Sequence, residues 1–122
     1  MKFDDSSPIW KQIISYLKII IINGKYPLGS KIPPVRELSM ELKVNPNTTQ
    51  RALAELEDDG LIYTERTNGK YVTDDKSVID SARNQLIESY IDSFYSSMSD
   101  IGISKEEAKK ILLDRGDSNG NT

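Results

Sequence analysis

The stretch from Lys31 to Arg51 constrains the fold more than any other part of the chain. It opens Lys31-Ile32-Pro33-Pro34-Val35-Arg36-Glu37-Leu38, where the proline pair suits the start of a helix and not its interior. A second helix is predicted from Asn45-Pro46-Asn47-Thr48-Thr49-Gln50-Arg51, with Asn45 as N-cap and Pro46 at the first helical position. Two brief helices, a tight turn, and polar and basic side chains at the start of the second form the pattern of a helix-turn-helix.

Apolar spacing predicts the helices on either side. Residues 1–6 are polar and expected to be loose. Ser7 and Pro8 read as the N-cap and first position of a helix running to about Ile22. Ile9, Ile13, Leu17 and Ile20 recur at helical spacing with Ile14 and Ile21 beside them, giving one wide buried stripe. Asn23-Gly24 ends that helix, and Trp10 is expected to pack. The helix opened by Pro33-Pro34 reaches about Lys43, with Val35, Leu38 and Leu42 inward. The next ends near Asp59-Gly60, with Thr49, Ala52, Leu53 and Leu56 on one face. At about 100° per residue, its opposite face carries Asn47, Arg51 and Ala54, flanked by Thr48 and Gln50.

Charge decides which end of this helix can meet a polyanion. Net charge is −3, so affinity for nucleic acid must be local. Between residues 31 and 51, Lys31, Arg36, Lys43 and Arg51 stand against Glu37 and Glu41, or 4 − 2 = +2. The third helix holds amides, a hydroxyl and Arg51 at its start, but Glu55, Glu57, Asp58 and Asp59 at its end. The start also carries free backbone N–H groups and the positive end of the helix dipole. Only that end can approach phosphates without repulsion.

Leu61-Ile62-Tyr63-Thr64-Glu65 and Lys70-Tyr71-Val72-Thr73 are strand-like runs around Arg66-Thr67-Asn68-Gly69, a hairpin signal. A hairpin directly after such a helix is a wing, and Arg66 and Lys70 flank its tip. Asp74-Asp75-Lys76-Ser77 is the expected boundary. A long helix follows, about Val78 to Met98, with two adjacent apolar stripes. One is Ala82, Leu86, Tyr90 and Phe94; the other is Ile87, Ile91 and Met98, with Tyr95 added. One packing surface does not need that coverage, so a partner helix is implied. Ser104 and Glu107 form a capping box for a last helix, roughly Lys105 to Arg115, which offers Ala108, Ile111 and Leu112. Gly116 is expected to end it and open a disordered tail.

The chain has neither His nor Cys. That removes the usual general base, the thiolate nucleophile and the commonest transition-metal ligands, and no Gly-rich phosphate loop is present. No enzymatic activity, cofactor or metal is expected. The most apolar run, Ile19 to Ile22, is too short to span a bilayer, and the acidic start is unlike a secretion signal. A cytoplasmic protein without membrane contact is the expectation.

The blocks together resemble the GntR superfamily of bacterial regulators over about the first 73 residues. Pro8-Ile9-Trp10-Lys11-Gln12-Ile13 is similar to the family's opening helix. Gly29 to Ser39 resembles the G-x-x-L-P-S-x-R-E-L-A signature. Val44 to Thr48, Arg51-Ala52 and Leu56 to Ile62 resemble the recognition helix and its exit, and Gly69-Lys70-Tyr71-Val72 the end of the wing. The short two-helix tail resembles the YtrA-type branch, where such helices form a dimerisation arm. The resemblance implies DNA contact by Arg36, Asn47, Thr48 and Gly69. Pro34 replaces the usual Ser and removes a side-chain cap; Thr67 replaces a wing glycine; Gln50 stands where many relatives have Arg. An amide there suits adenine, where Arg would suit guanine.

The expected fold is mainly α with a small β-hairpin wing: a winged helix-turn-helix over residues 1–75, a helical dimerisation arm over 76–115 and a tail over 116–122. The expected function is a homodimeric regulator, a repressor, on a palindromic double-stranded DNA operator. Arg36, Asn45, Asn47, Thr48, Gln50, Arg51, Arg66, Gly69 and Lys70 would meet DNA. Leu86, Ile87, Tyr90, Ile91, Phe94 and Met98 would form the dimer seam. Several of these residues also have plainer roles. Asn45 serves first as a cap, Thr48 can bond its own backbone, and Arg51 can pair with Glu55. Tyr90, Phe94 and Tyr95 can line a pocket, although dimer core suits their spacing better. The tail is too short for a dedicated effector domain, so a small-molecule effector, of unknown identity, is left the dimer seam or the joint between arm and DNA-binding domain. The alternative is a winged helix serving as a protein–protein interaction module without specific DNA binding.

Overall fold

The computed structural model describes residues 1–119, with side chains described as far as Gly116. In chain order the elements are α1 (Ile9–Ile22), α2 (Val35–Leu42), α3 (Pro46–Asp58), β1 (Ile62–Glu65), β2 (Gly69–Val72), α4 (Lys76–Asp100) and α5 (Lys105–Asn119). They fall into two compact units, Met1–Arg83 and a second beginning at Asn84.

In the first unit the predicted stripes form the core. Ile13, Leu17, Ile20 and Ile21 of α1 are buried with Leu38 and Leu42 of α2 and Ala52, Leu53 and Leu56 of α3. Leu61, Ile62 and Val72 extend this core beneath the hairpin. Ile9, expected in the stripe, is 44% exposed. It is the first residue of α1. Pro8, and not Ser7, occupies the N-cap position, so the helix starts one residue later than expected, and no side chain caps it. The amide of Gln12 organises the preceding segment instead: it donates to the carbonyls of Asp4 and Ser7, each at 2.8 Å. Phe3 packs against the core, so the leading residues are not loose.

Pro34 begins α2 without a side-chain cap, as its substitution for Ser implies. The turn to α3 is made by Lys43, which sits in the left-handed region at φ 59°, ψ 48°. Its carbonyl-capping neighbours are ordered by the Val44 N–H donating to the Ser39 carbonyl at 3.0 Å. Inside the turn, the Ser39 hydroxyl donates to Thr49 Oγ1 at 2.8 Å, and both residues are buried. One polar link therefore fixes α3 on α2 with neither hydroxyl left unpaired.

The strands pair antiparallel, Ile62 with Val72 through Glu65 with Gly69, leaving Arg66-Thr67-Asn68 as the connection. Residues 30–32 add a short third pairing that apolar patterning did not reveal. The Val72 N–H donates to the Ser30 carbonyl at 2.8 Å, and the Ile32 N–H to the Lys70 carbonyl at 2.9 Å.

The boundary expected after Asp75 lies further along. Asp75 Oδ1 accepts from the Ser77 N–H at 2.9 Å, and α4 begins at Lys76, two residues before the expected start. The first turns of α4 then belong to the first unit, because Ile79 is buried in its core and Val78 and Ala82 pack on it. The Arg83 guanidinium donates to the Ile22 carbonyl at 2.9 Å, tying this segment to the end of α1. In the second unit, Ser104 Oγ accepts from the Glu107 N–H at 3.1 Å, the first half of the capping box. Ala108 is fully buried, whereas Leu112 is 54% exposed. Helix α5 runs through Gly116 to Asn119, so Gly116 does not end it. Nothing there requires a left-handed residue, and a glycine inside a helix weakens it without breaking it. The end of the expected disordered tail, 120–122, lies outside the described residues.

A side chain in the left-handed region costs about 1–2 kcal/mol. Lys43→Gly should therefore stabilise the first unit by up to about 1 kcal/mol, glycine's greater freedom when unfolded offsetting part of the gain. Chemical denaturation of the two proteins checks this; an unchanged or lower midpoint would show that Lys43 is held without strain.

Candidate nucleic-acid interface

Helix α3 has two chemically distinct sides. Thr49, Ala52, Leu53 and Leu56 are fully buried. Asn47, Gln50, Arg51 and Ala54 are exposed, and Thr48 is half-buried at the margin. Asn45 is the N-cap: its Oδ1 accepts from the Asn47 N–H at 2.8 Å. Its carbonyl accepts from the Thr48 N–H at 2.9 Å, and Pro46 supplies no donor. The start of α3 thus presents an amide, a hydroxyl and a second amide on a fixed first turn and a half. Arg36 is exposed in the first turn of α2, on the helix that Ser39 holds against α3.

Arg51 is placed by a contact that helical spacing did not show. Its guanidinium carbon lies 4.0 Å from the centre of the Trp10 ring, and the Lys11 ammonium lies 5.6 Å from the same centre. Trp10 is half-buried. It packs, as expected, but beneath cations at the surface and not within the core. The only sequence sign of this was an aromatic near the start of α1, whose partner depends on how α1 crosses α3.

The wing separates its two cations. Arg66 is exposed in the connection between the strands. Lys70 is half-buried, and its ammonium donates to Glu57 at 3.1 Å and to Thr64 Oγ1 at 2.8 Å. The Thr64 hydroxyl donates to the same Glu57 oxygen at 2.9 Å. These bonds, Lys70 first and then Thr64, hold the Glu57 carboxyl below its ordinary pKa of 4.5. The outcome differs from the simple expectation for the wing: Lys70 clamps it to the acidic end of α3 and its charge is engaged there. Gly69 has φ +106°, and a Cβ on it would lie 3.3 Å from Lys31 Cε. Lys31 therefore lies along the wing, placed by the third pairing that spacing alone did not predict.

Residues 10–72 match the bacterial regulatory proteins of the gntR family. The chain belongs to the GntR family. The similarity extends past that domain. The Bacillus subtilis HTH-type transcriptional repressor YtrA is 35% identical over 109 residues, which is 89% of this chain and 72% of YtrA. The solved structure of a GntR family transcriptional regulator from Listeria monocytogenes superposes with a TM-score of 0.84 at 46% identity. That match covers 92% of this chain and 98% of the Listeria protein. The AraR DNA-binding domain in complex with operator ORX1 superposes with a TM-score of 0.55 at 26% identity. It covers 60% of this chain and 93% of the AraR chain. This GntR protein is a DNA-binding transcriptional regulator, and its family is one of regulators, not enzymes. The winged helix expected from sequence is the observed one. No helix among the described residues is long and apolar enough to cross a membrane.

Two outcomes are expected of the wing. A carboxyl whose folded pKa lies below 4.5 contributes its stability above that value and loses it as pH falls through the lower folded value. The clamp is partly solvated, so it should contribute no more than about 1 kcal/mol. Glu57→Gln should remove that contribution at neutral pH and flatten the acid limb below about pH 4.5, read by thermal melts across pH. Gly69→Ala combines a positive φ with a tight contact on Lys31. It should cost about 1–2 kcal/mol, and an unchanged melting temperature would contradict this.

Proposed function

We propose that this regulator is a homodimeric repressor that binds a palindromic operator. The observation that carries the reading is the exposed, capped start of α3, with its polar and basic residues free of the core and its acidic residues gathered at the far end. Each protomer inserts α3 into a major groove, with half-sites about one or more helical turns apart. Asn47, Thr48 and Gln50 read base edges, joined by Arg36 from α2. Asn45 orders the first turn, Arg51 and Arg66 face the backbone, and the wing approaches it at Gly69, with Lys70 fastening the wing to Glu57. The AraR domain, which shares this fold, is seen on operators, and YtrA is named a repressor; both support the reading.

The dimer is proposed to form through the second unit. Ile87, Tyr90 and Ile91 of α4 are 46%, 57% and 43% exposed, and Leu86, Phe94 and Met98 are half-exposed beside them. An apolar strip of this kind on a solvated helix is an interaction surface awaiting cover. A second copy supplies a matching strip by symmetry.

Duplex selection followed by anisotropy titration tests the DNA reading. An inverted-repeat preference that weakens with salt is expected, and no preference among duplexes would refute it. Gln50→Arg should shift one position of the selected site from adenine towards guanine, a change of about 1–3 kcal/mol in discrimination. Replacing Leu86 and Phe94 together by polar residues should give a monomer in sedimentation and weaken operator binding more than about tenfold. A variant that stays dimeric would move the seam elsewhere.

A further inference from the structure

We propose that Trp10 is a positioning residue for DNA-backbone binding, a platform that orders Arg51 of α3, with Lys11 beside it, for a phosphate next to the reading helix. The inference rests on α3 entering the groove as proposed above. It brings the first turn of α1 into the interface, a part of the chain with no role in base reading.

Three features of the contact support it. Arg51 follows Asn47 by four residues, so the two share the outward face of α3. The guanidinium lies 4.0 Å from the ring centre, a distance at which it uses its flat face. Its N–H donors lie in the guanidinium plane and remain available to a phosphate, which it can meet with two parallel bonds. The Arg51–Glu55 pair that helical spacing allows would instead have consumed those donors and neutralised the charge. Finally, an arginine free in solution loses rotamer freedom on binding, and a stacked one has lost much of it beforehand. Lys11, at 5.6 Å from the same ring, adds a second cation to the same spot. On a chain of net charge −3, two cations gathered on one indole form a local positive site that composition alone conceals.

The experiment measures affinity and salt slope on two probes: a duplex of random sequence and the duplex upstream of the regulator's own gene. Arg51→Met should lower the slope of log affinity against log salt by about 1 on both. Trp10→Leu should weaken both by about two- to fivefold, the scale of one exposed cation–π contact. Trp10→Phe should recover most of that loss. In the Arg51→Met background, Trp10→Leu should have little further effect, because the platform then has lost its main occupant. A purely structural role for Trp10 would lower thermal stability and leave the two substitutions additive, which would overturn the proposal. An unchanged slope in Arg51→Met would overturn it too, while leaving operator binding by the wild type intact. Should Trp10→Leu fail to fold, Arg51→Lys decides: it keeps the charge but not the planar stack, so affinity should fall with little change in slope. Equal affinity would overturn the proposal. Failure of the wild type to bind any duplex would instead refute the DNA reading beneath it.

Discussion

Burial of one side of α3 is the interaction on which the rest depends. Thr49, Ala52, Leu53 and Leu56 are fully removed from water, and each leucine stabilises the fold by about 1.5–3 kcal/mol. The same residues form one floor for α1, α2 and β1. The buried Ser39–Thr49 hydrogen bond adds direction to this apolar contact. A slide or rotation of α3 would separate two hydroxyls in a place without water, so the helix has one comfortable setting. Whatever its outer face does depends on that setting.

The outer face is arranged by charge along the helix as well as around it. The acidic end of α3 would repel a phosphate chain, and part of it is used structurally: Glu57 receives Lys70 and Thr64 and so fastens the wing. The capped start is left for the ligand. An acidic helix end and a DNA-binding helix start are compatible because they lie at opposite ends of the same 13 residues. This also explains how a chain of net charge −3 serves a polyanion.

Helices were legible in the sequence because their signals are local. Apolar spacing located the stripes of α1, α2 and α3, and Asn45-Pro46 marked the start of α3 to the residue. Residues whose roles depend on a distant partner were not legible. Ile9 fits the stripe by spacing yet is exposed at the start of α1. Lys43 carries no sign of its left-handed turn, since glycine is the residue that announces one. Ser30 to Ile32 pair with β2 through backbone groups, which leave no trace in side-chain pattern. The site divides in the same way. The exposure of Asn47, Gln50 and Arg51 followed from helical geometry, but the rest of Arg51's surroundings belongs to α1.

Counting charged residues in a sequence segment is therefore a poor measure of the charge a surface can offer. The count of +2 over residues 31–51 omits Lys11, which enters from another helix, and says nothing of engagement. Lys70 and Arg51 show the difference. Both are cations beside α3, and both are ordered by a neighbour. Lys70 is ordered by a carboxylate, so its field is largely cancelled, and two of its three N–H donors are used by Glu57 and Thr64. Arg51 is ordered by an aromatic face, which attracts the cation without supplying a counter-charge. The first arrangement builds structure and the second preserves reactivity towards an anion. Where cations lie beside a DNA-facing helix, the kind of partner that holds each one decides whether it stabilises the fold or remains available to a ligand.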